Sequence, residues 1–181
     1  MKLARLLVVC AVMVPYTFSQ ASTDPIATAL SAISANMREA TTVIKWKSDQ
    51  TYETLKKGTN RLVCYDRSNF PEHEGFSIEC TSVANLDRVA QNLKFEAVGD
   101  KAKTQALIDA AEKDGTRVKP EFGSIWYHLA GPDREHARSH TTISMPGATG
   151  QSTGLPDNNK QGGVWVMSGG TSAAHLMIPG L

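Results

Sequence analysis

Apolar and polar residues alternate in several short blocks of the chain, and each block predicts a β-strand. In residues 41–47, the side chains of Thr42, Ile44 and Trp46 fall on one face, as expected for a half-buried strand. Two similar blocks follow after short turns. Three consecutive strands joined in this way predict an antiparallel meander, with strands over residues 41–47, 51–57 and 61–66.

The turn before the third strand is Gly58-Thr59-Asn60, which contains the two residue types that adopt a positive φ at the lowest cost. We therefore expect a tight turn at this point. A polar segment follows at residues 67–75. Beyond it, further short apolar blocks predict strands over residues 76–81, 122–129, 141–145, 164–167 and 174–178.

Helical periodicity, with apolar residues three or four positions apart, occurs in three segments. The first begins with Asp24, a favourable N-cap, and Pro25, which suits the first helical position. The apolar stripe of this segment consists of Ile26, Leu30, Ile33 and Met37. The other two segments cover residues 83–97 and 101–113. Such stripes are more typical of helices that cover a sheet than of a partner-binding face.

These elements together predict an α+β domain. The N-terminal helix and the two middle helices would cover one face of an antiparallel sheet, made of the meander and the C-terminal strands. Residues 146–163 are rich in Gly, Ser, Pro and Asn. A structureless loop of this length is uncommon in a compact domain, so it indicates either function or disorder.

The first 21 residues have the pattern of a signal peptide. Lys2 and Arg5 precede the apolar run 6–18, and Ser19-Gln20-Ala21 places small residues at the cleavage positions. The run is shorter than the about 20 apolar residues that span a bilayer. An alternative is lipidation at Cys10, but Val9 is larger than the residue that normally precedes a lipidated cysteine. We expect export to the periplasm or the extracellular space.

Cleavage after Ala21 removes Cys10 and leaves one pair, Cys64 and Cys80, in a protein bound for an oxidising compartment. The sequence therefore predicts a Cys64–Cys80 disulfide. The alternative is two buried free thiols. The spacing differs from Cys-x-x-Cys, which argues against a catalytic thiol exchanger.

The mature chain, residues 22–181, has the length of a single domain. Without the two basic residues of the leader it has 17 basic and 18 acidic residues, a formal net charge of −1. Such a balance lacks the excess of positive charge that is typical of proteins that bind nucleic acid or an anionic membrane. We predict no nucleic-acid partner, no stable membrane insertion after cleavage, and no cofactor.

Several short stretches resemble a family of small, uncharacterised exported bacterial proteins. The resemblance implies export and a single domain, and it implies no activity. It departs from the family at Arg61, Leu62 and Val63, where members usually have a tryptophan and a small or polar residue. The stretches that carry it are residues 27–32 and 40–43, the Gly58-Thr59-Asn60 turn with the residues before it, the two cysteines, and the terminal His175-Leu176-Met177.

Gly170-Thr171-Ser172-Ala173-Ala174 resembles the nucleophile segment of subtilisin-like proteases. In those enzymes the serine opens a long buried helix and requires a histidine and an aspartate in motifs of their own. Here Pro179 follows closely and would stop a helix. A tight turn before the last strand explains the same residues, so we assign no catalytic residue.

Histidines offer a second candidate chemistry. If residues 132–140 formed a helical turn, His136 and His140 would share a face at the spacing of zinc sites, with His128 or His175 available in space. The alternative is a charged surface loop whose arginines would repel a cation.

A third candidate is a ligand-binding site lined by Trp126, Tyr127, Trp165 and Met167, at an open sheet edge or under the 146–163 loop. The same aromatic residues also suit a hydrophobic core. The sequence favours an exported, non-enzymatic binding or interaction module of the bacterial envelope, whose partner is a small molecule or an envelope protein. The competing hypothesis is a metal-dependent or serine hydrolase that uses His128, His136, His140 or His175.

Overall fold

The computed structural model describes residues 24–73 and 75–180. Within these ranges, eight strands form one sheet, and five short or medium helices flank it. The strands are β1 Thr42–Trp46, β2 Tyr52–Lys56, β3 Leu62–Asp66, β4 Phe76–Ser82, β5 Ile125–Gly131, β6 Arg138–Ser144, β7 Trp165–Met167 and β8 His175–Pro179. The helices are α1 Pro25–Ala29, α2 Ala35–Arg38, α3 Leu86–Glu96, α4 Lys101–Asp114 and α5 Gly150–Thr153. The α+β class is confirmed.

The sheet is mixed, with the strand order β2-β1-β3-β4-β5-β6-β8-β7. Strand β1 pairs with β2 as an antiparallel hairpin, but β3 lies on the other side of β1 and runs parallel to it. All other neighbouring strands are antiparallel. The predicted meander and the purely antiparallel sheet are therefore wrong, because the chain crosses the start of β1 between β2 and β3.

Gly58 makes this crossing possible. The backbone N–H groups of Thr59 and Asn60 both donate to the carbonyl oxygen of Ala40, at 2.8 and 3.0 Å. A Cβ atom on Gly58 would lie 2.3 Å from the same oxygen. Glycine is required here for close backbone approach, whereas the positive φ that we predicted at 58 and 60 is absent.

The N-terminal segment is less regular than its apolar stripe suggested. Asp24 caps α1 as predicted, with its carboxylate accepting from the N–H of Ile26 at 2.9 Å. The helix then tightens into a 3-10 turn, and Ile33 is fully extended. The Ser31 hydroxyl donates to the Thr28 carbonyl at 2.7 Å, a local bond that competes with a continuing helix. A single helix through Met37 was therefore a wrong prediction.

The helices cover both faces of the sheet, not one face as predicted. Ala29 and Leu30 pack with Val43, Cys64 and Cys80 on one face. On the opposite face, α3 buries its apolar stripe against a separate cluster of sheet residues. Because successive strand residues point to opposite faces, the same strands supply both clusters. The residues of this second cluster are Ile44, Trp46, Val63, Tyr65, Leu86, Val89 and Leu93.

Cys64 and Cys80 are directly opposite each other on β3 and β4, and both are fully buried. Their sulfur atoms are 2.02 Å apart, which confirms the predicted pair. In the part of the chain that the structure describes, no helix is long and apolar enough to cross a membrane. The predicted signal peptide, residues 1–21, lies outside the described residues.

Residues 146–163 are folded rather than structureless. Thr149 and Ser152 form a reciprocal capping box at the start of α5. The N–H of Gly150 donates to the Asp157 carboxylate at 2.8 Å, and Val166 donates to the Pro156 carbonyl at 2.8 Å. These bonds tie the segment to itself and to β7.

Candidate functional site

A cavity of about 360 Å³ lies between the sheet and α3. Its floor is formed by β5, β6 and β8, and its wall by α3 and the segment that follows α4. We call this cavity the helix–sheet cleft. Its lining includes three histidines, two arginines and a glutamate.

Three of the five histidines meet in the helix–sheet cleft: His128, His140 and His175. His128 on β5 is directly opposite His140 on β6. Their rings are stacked with centroids 4.5 Å apart and planes 7° from parallel. Trp126, two residues before His128 on the same face, continues the stack at 6.2 Å. The floor of the cleft is therefore a row of aromatic rings.

Two of these histidines, His128 and His140, are kept neutral by their surroundings. Burial lowers the pKa of His128 to about 4, although the Glu79 carboxylate, 3.8 Å from its Nδ1 atom, opposes the effect. Burial and the nearby His175 also lower the pKa of His140. At neutral pH each ring consequently offers one nitrogen lone pair and one N–H group.

His175 has a defined tautomer. Its Nδ1 atom is 2.7 Å from the carbonyl oxygen of Ala173. Because a carbonyl only accepts, Nδ1 must carry a proton, and in the neutral form of the ring the lone pair is on Nε2. His175 is directly opposite Met167 on β7, and Met177 follows two residues later on the same face.

A buried ionic network lies beside the floor. Arg67 contacts Glu79 at 3.1 Å and also pairs with Glu96, and the Tyr65 hydroxyl donates to Glu79 at 3.0 Å. Burial alone would raise the pKa of Glu79, but the Arg67 charge and the hydrogen bond from Tyr65 hold it below its ordinary value. Glu79 is therefore an anion beneath the histidines.

The wall of the cleft contains two guanidinium groups, those of Arg88 and Arg117. Both residues are more than nine-tenths buried, at 5% and 7% exposed. Arg88 donates from Nη1 to the Val118 carbonyl and to Ser172 Oγ, the latter at 3.2 Å. Burial, with help from Arg117, lowers the pKa of Arg88 to about 10, so it remains charged at neutral pH.

Arg117 is held by neutral partners. It donates to Gln91 Oε1 at 2.6 Å and to Asn92 Oδ1 at 2.5 Å, and it lies over the Phe95 ring at 5.5 Å. Among the described residues, no carboxylate oxygen lies within ion-pair distance of Arg88 or Arg117.

Ser172 is not set up as a nucleophile. Its hydroxyl donates to the Glu112 carboxylate and accepts from Arg88. The surrounding segment forms a turn before β8, closed by the Ala174 N–H bond to the Thr171 carbonyl at 3.2 Å. The turn that we weighed against a subtilisin-like helix is thus what the structure contains.

His136 and His140 lie in different surroundings. The helical turn over 132–140 that the metal hypothesis required is absent, because β6 already begins at Arg138. His136 is exposed, with Nδ1 2.7 Å from Asp133, while His140 faces the cleft. His140, Thr142 and Ser144 alternate along the extended backbone of β6, whereas we predicted a strand only from residue 141. No group of three or more His, Cys, Asp or Glu side chains in the described residues is placed to hold a metal ion.

The three aromatic residues proposed for ligand binding do not share one surface. Trp126 lines the cleft, and its Nε1 donates to Ser144 Oγ at 3.0 Å. Tyr127 points to the opposite face and packs with the core around the disulfide. Trp165 is directly opposite Met177 on β8, and Met177 is connected through Thr142 on β6 to Trp126. Trp165 and Trp126 therefore belong to the same face of the sheet. Ligand binding by these residues stays a prediction.

Another cavity, of about 400 Å³, is lined by Trp46, Phe70, Pro71 and Leu93. It is more apolar than the helix–sheet cleft and holds no histidine, so it offers less chemistry for specific recognition. Comparison of the chain with protein-family models, curated proteins and solved structures gave no match in any of the three. The assignment of function therefore depends on the geometry of the site.

Proposed function

We propose that this protein is an exported, non-enzymatic binding module of the bacterial envelope, and that the helix–sheet cleft is its binding site. The ligand is a small molecule with an aromatic ring and a carboxylate group. The volume of about 360 Å³ lies in the range of small-molecule sites.

The observation that carries this proposal is the pair of cationic side chains, Arg88 and Arg117, in the cleft wall. The carboxylates nearest to them have other partners, since Glu96 pairs with Arg67 and Glu112 accepts from Ser172. Buried charges normally have a counter-charge. Glu112 acts on both guanidinium groups, and Glu96 on that of Arg117, only from beyond ion-pair distance. A ligand carboxylate would supply a direct counter-charge, and the planar guanidinium fork suits such a group.

The row of rings on the floor supports the aromatic half of the ligand. Trp126, His128 and His140 present π-systems and neutral ring nitrogens to the cavity. Aromatic walls with a few fixed polar groups are the usual composition of a small-molecule site. The low pKa of His128 keeps a third positive charge out of the cleft at neutral pH.

Export is supported by the leader pattern of residues 1–21 and by the Cys64–Cys80 pair, because disulfides persist mainly in oxidising compartments. The resemblance to small exported bacterial proteins agrees with the same destination. Against the hydrolase alternative, Ser172 is bonded to a carboxylate and an arginine, with no histidine beside its hydroxyl among the described residues.

The experiment uses indole-3-carboxylate as the probe and indole-3-carboxamide as its neutral match. Calorimetric titration should give saturable binding of the carboxylate and at least tenfold weaker binding of the amide, because a charge-assisted hydrogen bond contributes about 1.5–3 kcal/mol. Equal affinity for both probes, or no binding of a panel of aromatic carboxylates, would contradict the proposal.

Two variants locate the binding. Arg88→Gln keeps a donor for Ser172 but removes the charge, and we expect it to weaken carboxylate binding about tenfold or more. His140→Gln changes the floor without removing a buried ion and gives a second readout if Arg88→Gln does not fold. The control is Arg134→Gln, whose arginine lies over Phe76 outside the cleft and should leave affinity unchanged.

A further inference from the structure

The geometry points to a second site at the β7–β8 end of the cleft, where we propose that His175, Met167 and Met177 bind one copper(I) ion. In the part of the chain that the structure describes, none of the three side chains forms a hydrogen bond with Arg88 or Arg117. This inference does not rest on the aromatic-carboxylate proposal.

The strand register brings the three side chains to one face. His175 and Met167 are directly opposite each other on neighbouring strands, and Met177 is two residues from His175. Directly opposite Cβ atoms are about 5 Å apart, and residues i and i+2 of a strand are about 7 Å apart. Unbranched methionine side chains have the length and flexibility to close such gaps. All three residues line the same cavity.

His175 is oriented as a metal ligand would be. Histidines that bind metals almost always donate their second ring N–H to a carboxylate or a backbone carbonyl. In this protein Nδ1 is 2.7 Å from the Ala173 carbonyl oxygen, so the bond is already formed and Nε2 is the nitrogen left to bind a metal. The imidazole therefore needs neither a new tautomer nor a new partner to accept a metal.

The donor set selects the metal. Two thioethers and one neutral imidazole form a soft set without a carboxylate, which favours copper(I) over zinc, magnesium or calcium. A singly charged ion is also repelled less than a divalent ion by Arg88 and Arg117 in the same cavity. Met167 is 46% exposed, so one sulfur ligand is accessible from solvent.

The test is an anaerobic competition titration in which the full mature chain takes copper(I) from its bicinchoninate complex. We expect one copper(I) per chain and an X-ray absorption spectrum with two sulfur neighbours and one nitrogen neighbour. Wild-type protein that fails to compete, or that binds copper(I) through nitrogen and oxygen alone, overturns the proposal.

Three variants assign the ligands. Met167→Leu and Met177→Leu conserve volume while removing sulfur, and His175→Asn keeps a donor for Ala173 while removing Nε2. Each should weaken copper(I) binding at least tenfold, whereas Met37→Leu, on the other face of the sheet, should change nothing. Unchanged affinity in all three variants overturns the assignment.

Two further measurements keep the outcome unambiguous. Urea midpoints equal to wild type show that a Met→Leu variant has lost a ligand rather than its fold. Titration of indole-3-carboxylate into Met177→Leu separates the two proposals. If this variant loses copper(I) binding and still binds the carboxylate, the two ligands have separate sites. If it still binds copper(I), the metal assignment is contradicted, whether or not it binds the carboxylate.

Discussion

His128 and His140 lie directly opposite each other on β5 and β6, with ring centroids 4.5 Å apart. Stacked imidazoles at this distance are compatible with two neutral rings, whereas two protonated rings would repel each other. Glu79, Arg67 and His175 are the other charged or titratable groups that influence His128. The row of rings is therefore sensitive to acid.

We expect the protein to lose stability between pH 6.5 and pH 4. The pKa of His128 is about 4 in the folded protein and about 6.5 when unfolded, so the unfolded chain binds a proton that the folded chain does not. There is no cost above pH 6.5, and the cost grows as the pH falls, to about 3 kcal/mol at most. Urea unfolding at pH 7 and pH 5 measures it.

The matched variants for this effect are His128→Gln and His136→Gln. The first should flatten the dependence between pH 7 and pH 5, where most carboxylates remain ionised. The second changes an exposed histidine and should leave the dependence as in wild type. An equally steep dependence in His128→Gln would show that another group controls acid stability.

Removal of Glu79 should be strongly destabilising. Its carboxylate pairs with Arg67 and accepts from Tyr65 in a buried setting, and breaking a buried pair costs about 3–5 kcal/mol. We expect Glu79→Gln to lower the free energy of unfolding by about 3 kcal/mol, since Glu96 still pairs with Arg67. The control, Glu121→Gln, breaks the more exposed pair with Arg61 and should cost much less, because solvent screens an exposed pair. Similar losses in both variants would contradict a buried role for Glu79.

The Cys64–Cys80 pair should contribute a large share of stability. The cysteines are 16 residues apart, and a closed loop of this length is worth about 3 kcal/mol. We expect the double variant Cys64→Ala, Cys80→Ala to unfold at lower urea than wild type. A reductant should destabilise wild type by a similar amount and leave the double variant unchanged. Alkylation of both thiols in the denatured, unreduced protein is the result that would refute the bond.

Gly58 should resist substitution for a reason that differs from the usual one for turn glycines. Its added Cβ would meet the Ala40 carbonyl oxygen at 2.3 Å, so Gly58→Ala must displace the start of β1. We expect a loss of about 2 kcal/mol or more. At Gly169 the nearest atom to an added Cβ is 3.5 Å away, which makes Gly169→Ala the matched control. Thermal melts measure the stability of both variants. A loss in Gly58→Ala alone supports close backbone approach as the reason for glycine, whereas equal losses would indicate backbone flexibility.

Local features of the fold could be read from the sequence. The alternation of apolar and polar residues predicted the strands. The Asp24 cap follows from a hydrogen bond between near neighbours in the chain, and Cys64–Cys80 is the one pairing that two cysteines allow. The strand order could not be read in the same way. Placing β3 beside β1 depends on a close backbone contact at Gly58, and an alternating pattern carries no information about which neighbour a strand selects.

The candidate site was recognised only in part, for related reasons. His128, His140 and His175 were named, but the metal hypothesis paired His140 with His136 through a helical turn, and the predicted strand began only at residue 141, whereas β6 begins at Arg138. Glu79 alternates with Ile78 and Cys80 as a solvent-facing residue would, because the cover supplied by α3 is not encoded in β4 itself. Arg88 lies beside the apolar stripe of α3, so its sequence position predicts a solvent-exposed side chain. It is buried because the segment that follows α4 packs over it.

The most direct measurement is a long-range ¹H–¹⁵N correlation spectrum of the histidine rings, recorded at pH 7 with and without indole-3-carboxylate. The protein has five histidines, of which three line the cleft and two, His73 and His136, lie outside it. We predict neutral rings at His128 and His140, and shifts confined to His128, His140 and His175 on addition of the probe. Shifts only at His73 or His136, or an unchanged spectrum at saturating probe, would contradict binding in the helix–sheet cleft.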